Sequence, residues 1–117
     1  MDLLFAAIPL LTAFSEGKLV YLNCTGAFRN GRSIPVMRVV LNESVSTIKL
    51  SVESEGNTSD WVKADYKSDA ITTTYQWKSD TIGFRLNRIN GKFQMNEVPD
   101  GFDVKGECSV DSRIRKF

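Results

Sequence analysis

The sequence predicts an all-β protein: a single small antiparallel meander barrel or sandwich of about eight strands, with its first and last strands joined by a disulfide. Three observations lead to this class. From residue 18 onward, apolar side chains recur with the period of two that strands show. Turn-forming residues separate the apolar runs every ~8–12 positions. The only two cysteines lie in the first and last of these runs.

Short runs rich in β-branched and aromatic residues define the predicted strands. In order, they cover residues 19–28, 34–41, 45–52, 61–66, 71–77, 82–88, a run through 93–95, and 102–108. The pairs Asn30-Gly31 and Asn90-Gly91 predict two-residue hairpin turns, because both central positions of such turns require positive φ. The length of 117 residues suits one domain, which we place at residues 18–117.

Alternating positions in these strands predict the core. Within residues 45–52, Ile48 and Leu50 share one face while Lys49 lies on the other. The same alternation applies to every predicted strand. The residues predicted to be largely buried are Leu22, Ile48, Leu50, Tyr75, Trp77, Phe84, Leu86, Phe93 and Val104.

Residues 1–17 are predicted to be a signal peptide. Residues 3–14 form an apolar run that is shorter than the ~20 residues of a membrane-spanning helix. The run has the length of a signal-peptide apolar region, and Ala13-Phe14-Ser15 suits a small-x-small cleavage site. The expected location is therefore the periplasm or the exterior. Because Met1-Asp2 lacks the usual basic residue, the alternative is an apolar N-terminal segment of a cytoplasmic protein.

Strand parity also predicts the pairing of the cysteines. Cys24 shares a face with Leu22 in the first strand, and Cys108 shares a face with Val104 in the last strand. Both sulfur atoms are therefore expected on the apolar side, as a disulfide between the two strands requires. The alternative is two reduced cysteines that pack as small apolar side chains in a cytoplasmic protein.

Composition argues against several classes of function. The net charge is +1, whereas proteins that bind nucleic acid usually have a clear basic excess, so no specific nucleic-acid partner is expected. The chain has no histidine, which is the commonest general base and metal ligand near neutral pH. Two thiols alone do not complete a zinc site. We therefore expect no enzymatic activity, no cofactor and no metal site.

Four short sequence motifs together form a pattern that covers both ends of the domain. Residues 22–26 read L-x-C-x-G, residues 87–93 read N-R-x-x-G-x-F, residues 106–108 read G-x-C, and residues 116–117 are K-F. This pattern resembles that of a broad group of small, mostly uncharacterised bacterial exported proteins. The resemblance implies export, the disulfide and a β-fold, and it implies no activity. The layout is also loosely similar to the periplasmic lysozyme inhibitors, but their S-G-x-x-Y motif is absent, so that function is not transferred.

The sequence suggests one surface on which a partner could bind, and this surface is cationic. Arg29 and Arg32 flank the first Asn-Gly turn, while Arg88 and Lys92 flank the second, with Ile89 expected to be exposed between them. If both turns lay at one end of the barrel, these residues would form a cationic rim for a protein or another anionic surface. The alternative interpretation is that charged hairpin ends simply increase solubility.

Three functional hypotheses remain at this point. The first is an exported, non-catalytic binding or inhibitor module. The second is a cytoplasmic protein, for example one derived from a phage, that binds and inhibits a macromolecular partner. The third is a carrier of a small apolar ligand inside the barrel. A solvent-accessible apolar cavity would favour the third hypothesis, and the state of the thiols would distinguish the first two.

Overall fold

A computed structural model describes residues 19–52, 57–77, 79–99 and 101–111. The predicted signal peptide and the K-F pair at 116–117 lie outside the described residues. The strands are β1 (Val20–Phe28), β2 (Met37–Asn42), β3 (Thr47–Val52), β4 (Asn57–Thr58), β5 (Val62–Lys63), β6 (Asp65–Tyr66), β7 (Ala70–Trp77), β8 (Asp80–Asn87), β9 (Lys92–Val98) and β10 (Asp103–Val110). A 3-10 turn at Glu43–Val45 separates β2 from β3.

The strands form one antiparallel sheet that curls into a nearly closed barrel. The order is β4-β3-β2-β1-β10-β9-β8-β7-β6, and β5 also pairs with β3. Because β5 pairs with β3 and β6 pairs with β7, the chain through 62–66 joins the two ends of the sheet. β4, β5 and β6 follow one another along a single path, so the ten strands occupy eight positions around the barrel. The predicted all-β meander is confirmed, as a barrel.

The two ends of this barrel differ. We define the open end as the one that contains the turns β1–β2, β3–β4, β7–β8 and β9–β10, and the closed end as the one that contains β2–β3, β6–β7 and β8–β9. Successive turns of a meander alternate between ends because each antiparallel strand reverses the chain.

The disulfide joins β1 to β10, as predicted. Cys24 lies directly opposite Cys108 in the strand register, and their sulfur atoms are bonded. Two residues further along, Gly26 lies opposite Gly106. A Cβ atom on Gly106 would collide with the carbonyl oxygen of Thr25, so the two strands approach more closely than side chains allow.

Both Asn-Gly pairs form hairpin turns, but the turns are wider than predicted. Gly31 (φ 89°) donates its N–H to Phe28, and Gly91 (φ 77°) donates its N–H to Asn87. The Phe28 N–H in turn donates to the Arg32 carbonyl oxygen, so residues 29–31 form the first turn, and the Gly91 bond encloses residues 88–90 in the second. Only the glycine of each pair has positive φ, whereas the predicted two-residue turn requires positive φ at both positions.

The core fills the barrel with the side chains of the predicted parity. Seven of the nine predicted core residues are buried: Leu22, Ile48, Leu50, Phe84, Leu86, Phe93 and Val104. The other two, Tyr75 and Trp77, are partly buried and pack against the core. They occupy the last part of β7, near the open end, where the interior is accessible to solvent.

Candidate functional site

A cavity of about 380 Å³ extends into the barrel from the open end. Its wall is mainly apolar and aromatic. The apolar lining residues are Phe28, Ile34, Pro35, Met37, Leu50, Val52, Tyr75, Trp77, Ile82, Met95, Phe102 and Val104. A volume in this range with a mostly apolar lining is typical of small-molecule binding sites.

The cavity is accessible because the barrel wall is interrupted on one side. β4 pairs with the end of β3 at Ser51 and Val52, while β6 pairs only with the first part of β7. Within the described ranges, no strand pairing joins β4 to the last residues of β7. Residues 58–60 and 75–77 therefore face one another across an unpaired seam, and both segments line the cavity.

Hydrogen bonds hold one side of this seam in place. The backbone N–H of Ser59 donates to the Leu50 carbonyl oxygen over 2.7 Å, and the Leu50 N–H donates to Ser59 Oγ over 2.9 Å. The segment after β4 is thus fixed to β3 although it is not part of the strand ladder. One side of the opening, the segment at Ser59, is therefore held in place by hydrogen bonds to β3.

Few titratable groups lie in the cavity. Among the described lining residues, only Asp60 and Tyr75 carry an ionisable side chain. Burial raises the pKa of Tyr75 to about 12, and its hydroxyl donates a weak hydrogen bond to Met95 Sδ at 3.8 Å. A neutral phenol is available as one polar contact for a ligand. This lining suits binding of an apolar molecule.

The closed end is organised by Arg88. Its guanidinium contacts Glu43 at 2.9 Å, donates to the Lys67 carbonyl oxygen over 2.6 Å, and lies over the Tyr66 ring. The Arg88 backbone N–H donates to the Asp69 carbonyl oxygen. One side chain thereby ties together the three turns of the closed end. The Tyr66 hydroxyl donates to Thr47, and burial raises the pKa of that phenol to about 12.

The binding rim expected from the sequence does not form. Arg29 and Arg32 lie at the open end, whereas Arg88, Ile89 and Lys92 lie at the closed end. Arg88 is only 3% exposed and is committed to Glu43, so it is not a surface cation. The prediction that the two turns share one end is therefore wrong, because the β1–β2 and β8–β9 turns fall at alternate ends of the meander.

The remaining rim residues are exposed at two ends of the barrel, Arg29 and Arg32 at the open end and Ile89 and Lys92 at the closed end. Arg29 forms an ion pair with Asp103 at 3.2 Å, and Ile89 is 62% exposed at the tip of its turn. Lys92 is exposed at the start of β9, and Arg32 lies over the ring of Phe28.

We expect the substitution Arg88→Ala to lower the free energy of unfolding by about 3 kcal/mol, since it breaks a buried ion pair and orphans the Lys67 carbonyl. The expected loss is at the low end for such pairs because Glu43 stays 34% exposed and can be solvated. The matched control is Arg85→Ala, which removes an exposed arginine from the same hairpin. Urea unfolding measures both. Equal stability of the two variants would contradict this role of Arg88.

The motifs at residues 22–26, 87–93 and 106–108 have a structural explanation. The side chain of Asn87 accepts hydrogen bonds from the backbone N–H groups of Ile89 and Asn90, which shapes the β8–β9 turn. The ring of Phe93 lies within 3.1 Å of where a Cβ on Gly26 would be, so it covers the space that the glycines leave. These residues therefore shape the closed end and the contact between β1 and β10 that the disulfide joins.

Sequence reasoning did not identify the cavity as the site. One signal was present: the ends of several strands carry large aromatic residues of inward parity, namely Phe28, Tyr75, Trp77 and Phe102. At the end of a barrel, such side chains have no neighbouring layer to cover them. They therefore line an accessible space.

Two further observations concern the described part of the chain. Within it, no group of three or more histidine, cysteine, aspartate or glutamate side chains is placed to hold a metal ion. Nor does that part contain a helix with the length and apolar character needed to cross a membrane.

In comparisons with protein-family models, with curated proteins and with solved structures, no match to this chain was found.

Proposed function

We propose that this protein is a non-catalytic binding module that holds a small, mainly apolar ligand in the cavity at the open end of its barrel. The observation that carries this proposal is the cavity itself: about 380 Å³, mostly apolar, and open to solvent along the seam beside Trp77. Burial of apolar ligand surface would supply the affinity, at roughly 25 cal/mol per Å² before the costs of binding.

The disulfide supports the exported version of this proposal. Disulfides persist in the periplasm and outside the cell and are rare in the cytoplasm. An exported carrier would hold its ligand in a barrel whose first and last strands are covalently joined. The cationic rim, which was the candidate site for a macromolecular partner, does not form because its two turns lie at opposite ends of the barrel.

Trp77 offers a direct reporter of binding. The chain has two tryptophans, and Trp61 does not line the cavity. In a Trp61→Phe protein, a change in tryptophan fluorescence on addition of ligand would therefore report on Trp77. The neutral dye N-phenylnaphthylamine serves as the ligand, because its own emission rises in apolar surroundings.

We expect the dye to bind and to be excluded by the substitution Val52→Trp. Val52 faces the cavity, so a larger side chain there would occupy the space that the ligand needs. The matched control is Val40→Trp, because Val40 lies between the buried residues Val39 and Leu41 and so faces away from the interior. Dye titration of both folded variants measures the effect. Absence of dye binding to the parent protein, or equal binding to both variants, would refute the proposal.

A further inference from the structure

A second depression adjoins the cavity at the open end. It measures about 330 Å³ and is lined by both arginines of the β1–β2 turn, together with Phe28 and Phe102. Phe28 and Phe102 line the apolar cavity as well, and their rings pack edge to face with centroids 6.2 Å apart. The two aromatic rings therefore form a shared wall between the apolar cavity and the second depression, which the two arginines line.

The two arginines of the second depression differ in their charge balance. Arg29 is neutralised by Asp103 at 3.2 Å. This contact, chiefly its hydrogen bond, holds the pKa of the Asp103 carboxyl below its usual range. Arg32, in contrast, has no carboxylate partner among the described residues, and its guanidinium lies 6.0 Å from the centroid of the Phe28 ring.

The backbone of Arg32 is held in place, although its guanidinium is paired with no carboxylate of the described residues. Its N–H donates to Asn30 Oδ1 over 3.0 Å, and its carbonyl oxygen accepts from the Phe28 N–H over 2.8 Å. These bonds keep the residue beside the aromatic wall. The guanidinium donors then remain available to an anion that emerges from the cavity over Phe28.

We propose that the ligand is amphipathic and anionic: an apolar chain or ring in the cavity with a carboxylate that Arg32 binds at the mouth. This inference rests on the proposed function, because it specifies the ligand of the same cavity. It also gives the ligand an orientation. Among the described residues that line the cavity, Asp60 is the one carboxylate, and it lies at the seam after β4, which β3 separates from β2 and the β1–β2 turn. Repulsion from Asp60 directs the carboxylate towards Arg32.

The test compares three ligands of nearly the same size and different charge: octanoate, octanamide and octylammonium. Each is titrated against the bound neutral dye in the Trp61→Phe protein. We expect octanoate to displace the dye at roughly fivefold lower concentration than octanamide, as an exposed ion pair allows. Octylammonium should be the weakest. The advantage of octanoate should shrink as salt rises, because exposed charges are screened.

The variant Arg32→Gln should remove this preference and leave the affinities for the dye and for octanamide unchanged. Arg85→Gln is the matched control, since Arg85 is exposed and lines neither depression, and it should keep the preference. Equal displacement by octanoate and octanamide, no displacement by octanoate, or a preference that survives in Arg32→Gln would overturn the anionic ligand while dye binding still supports the cavity. Absence of dye binding would overturn the proposed function and this inference with it.

Discussion

Replacing both Cys24 and Cys108 by alanine is expected to lower the free energy of unfolding by about 4.6 kcal/mol, the largest effect that we predict for any change in this protein. The bond links residues 84 positions apart, so it removes most of the loop-closure freedom of the unfolded chain. A domain of this size has a total stability of only about 5–15 kcal/mol. The bond is therefore expected to decide whether the barrel stays folded at physiological temperature.

Urea unfolding of the oxidised protein, the reduced protein and the double variant measures this contribution. Reduction should lower the midpoint to about that of the double variant. The single substitution Arg85→Ala, on an exposed site of β8, controls for the effect of mutation itself. Thiol titration of the denatured protein gives an independent check, because no free cysteine is present in the structure. Two titratable thiols, or an unchanged midpoint on reduction, would contradict the prediction.

The second large effect is expected for Phe84→Ala, at about 4 kcal/mol. Phe84 is 3% exposed and stacks on Phe93, with ring centroids 5.9 Å apart. Truncation removes buried apolar surface and leaves a void between β8 and β9 that the disulfide-joined barrel cannot easily close. The loss of the aromatic pair adds to this cost.

The neighbouring residue provides the comparison for Phe84. Arg85 lies on the same strand with the opposite parity and is exposed, so Arg85→Ala should change the stability by less than about 0.5 kcal/mol. Denaturant unfolding followed by far-ultraviolet circular dichroism measures both variants. If Phe84→Ala cost no more than Arg85→Ala, the inward orientation of Phe84 on β8 would be contradicted.

Strand parity made much of the fold predictable from sequence. The alternation around Leu22 and Cys24, and again around Val104 and Cys108, placed both cysteines on the inner face and so predicted their bond. The same parity predicted Leu50 and the other buried core residues. These predictions succeed because a strand has a fixed period of two and one face of a barrel wall must be apolar.

The turns show where local patterns were insufficient. Asn30-Gly31 and Asn90-Gly91 correctly marked hairpins, yet the number of residues in each turn differs from the prediction. That number depends on hydrogen bonds beyond the pair itself, such as those that Asn87 accepts in the second turn. The placement of both turns at one end was a separate error. The two are the first and sixth turns of a meander, and successive turns alternate between ends.

Sequence by itself therefore determined the fold class, the number of strand positions, most of the predicted core and the disulfide of this protein. Only the tertiary structure decided that Arg88 is buried and paired instead of exposed. The carboxylate and the carbonyl oxygen that bind it belong to Glu43 and Lys67, which are distant in the chain. The tertiary structure also decided that a cavity forms at the open end. An apolar side chain at the end of a strand has the same inward parity whether it is covered or exposed to a cavity, and only the missing pairing between β4 and the end of β7 leaves Tyr75 and Trp77 accessible.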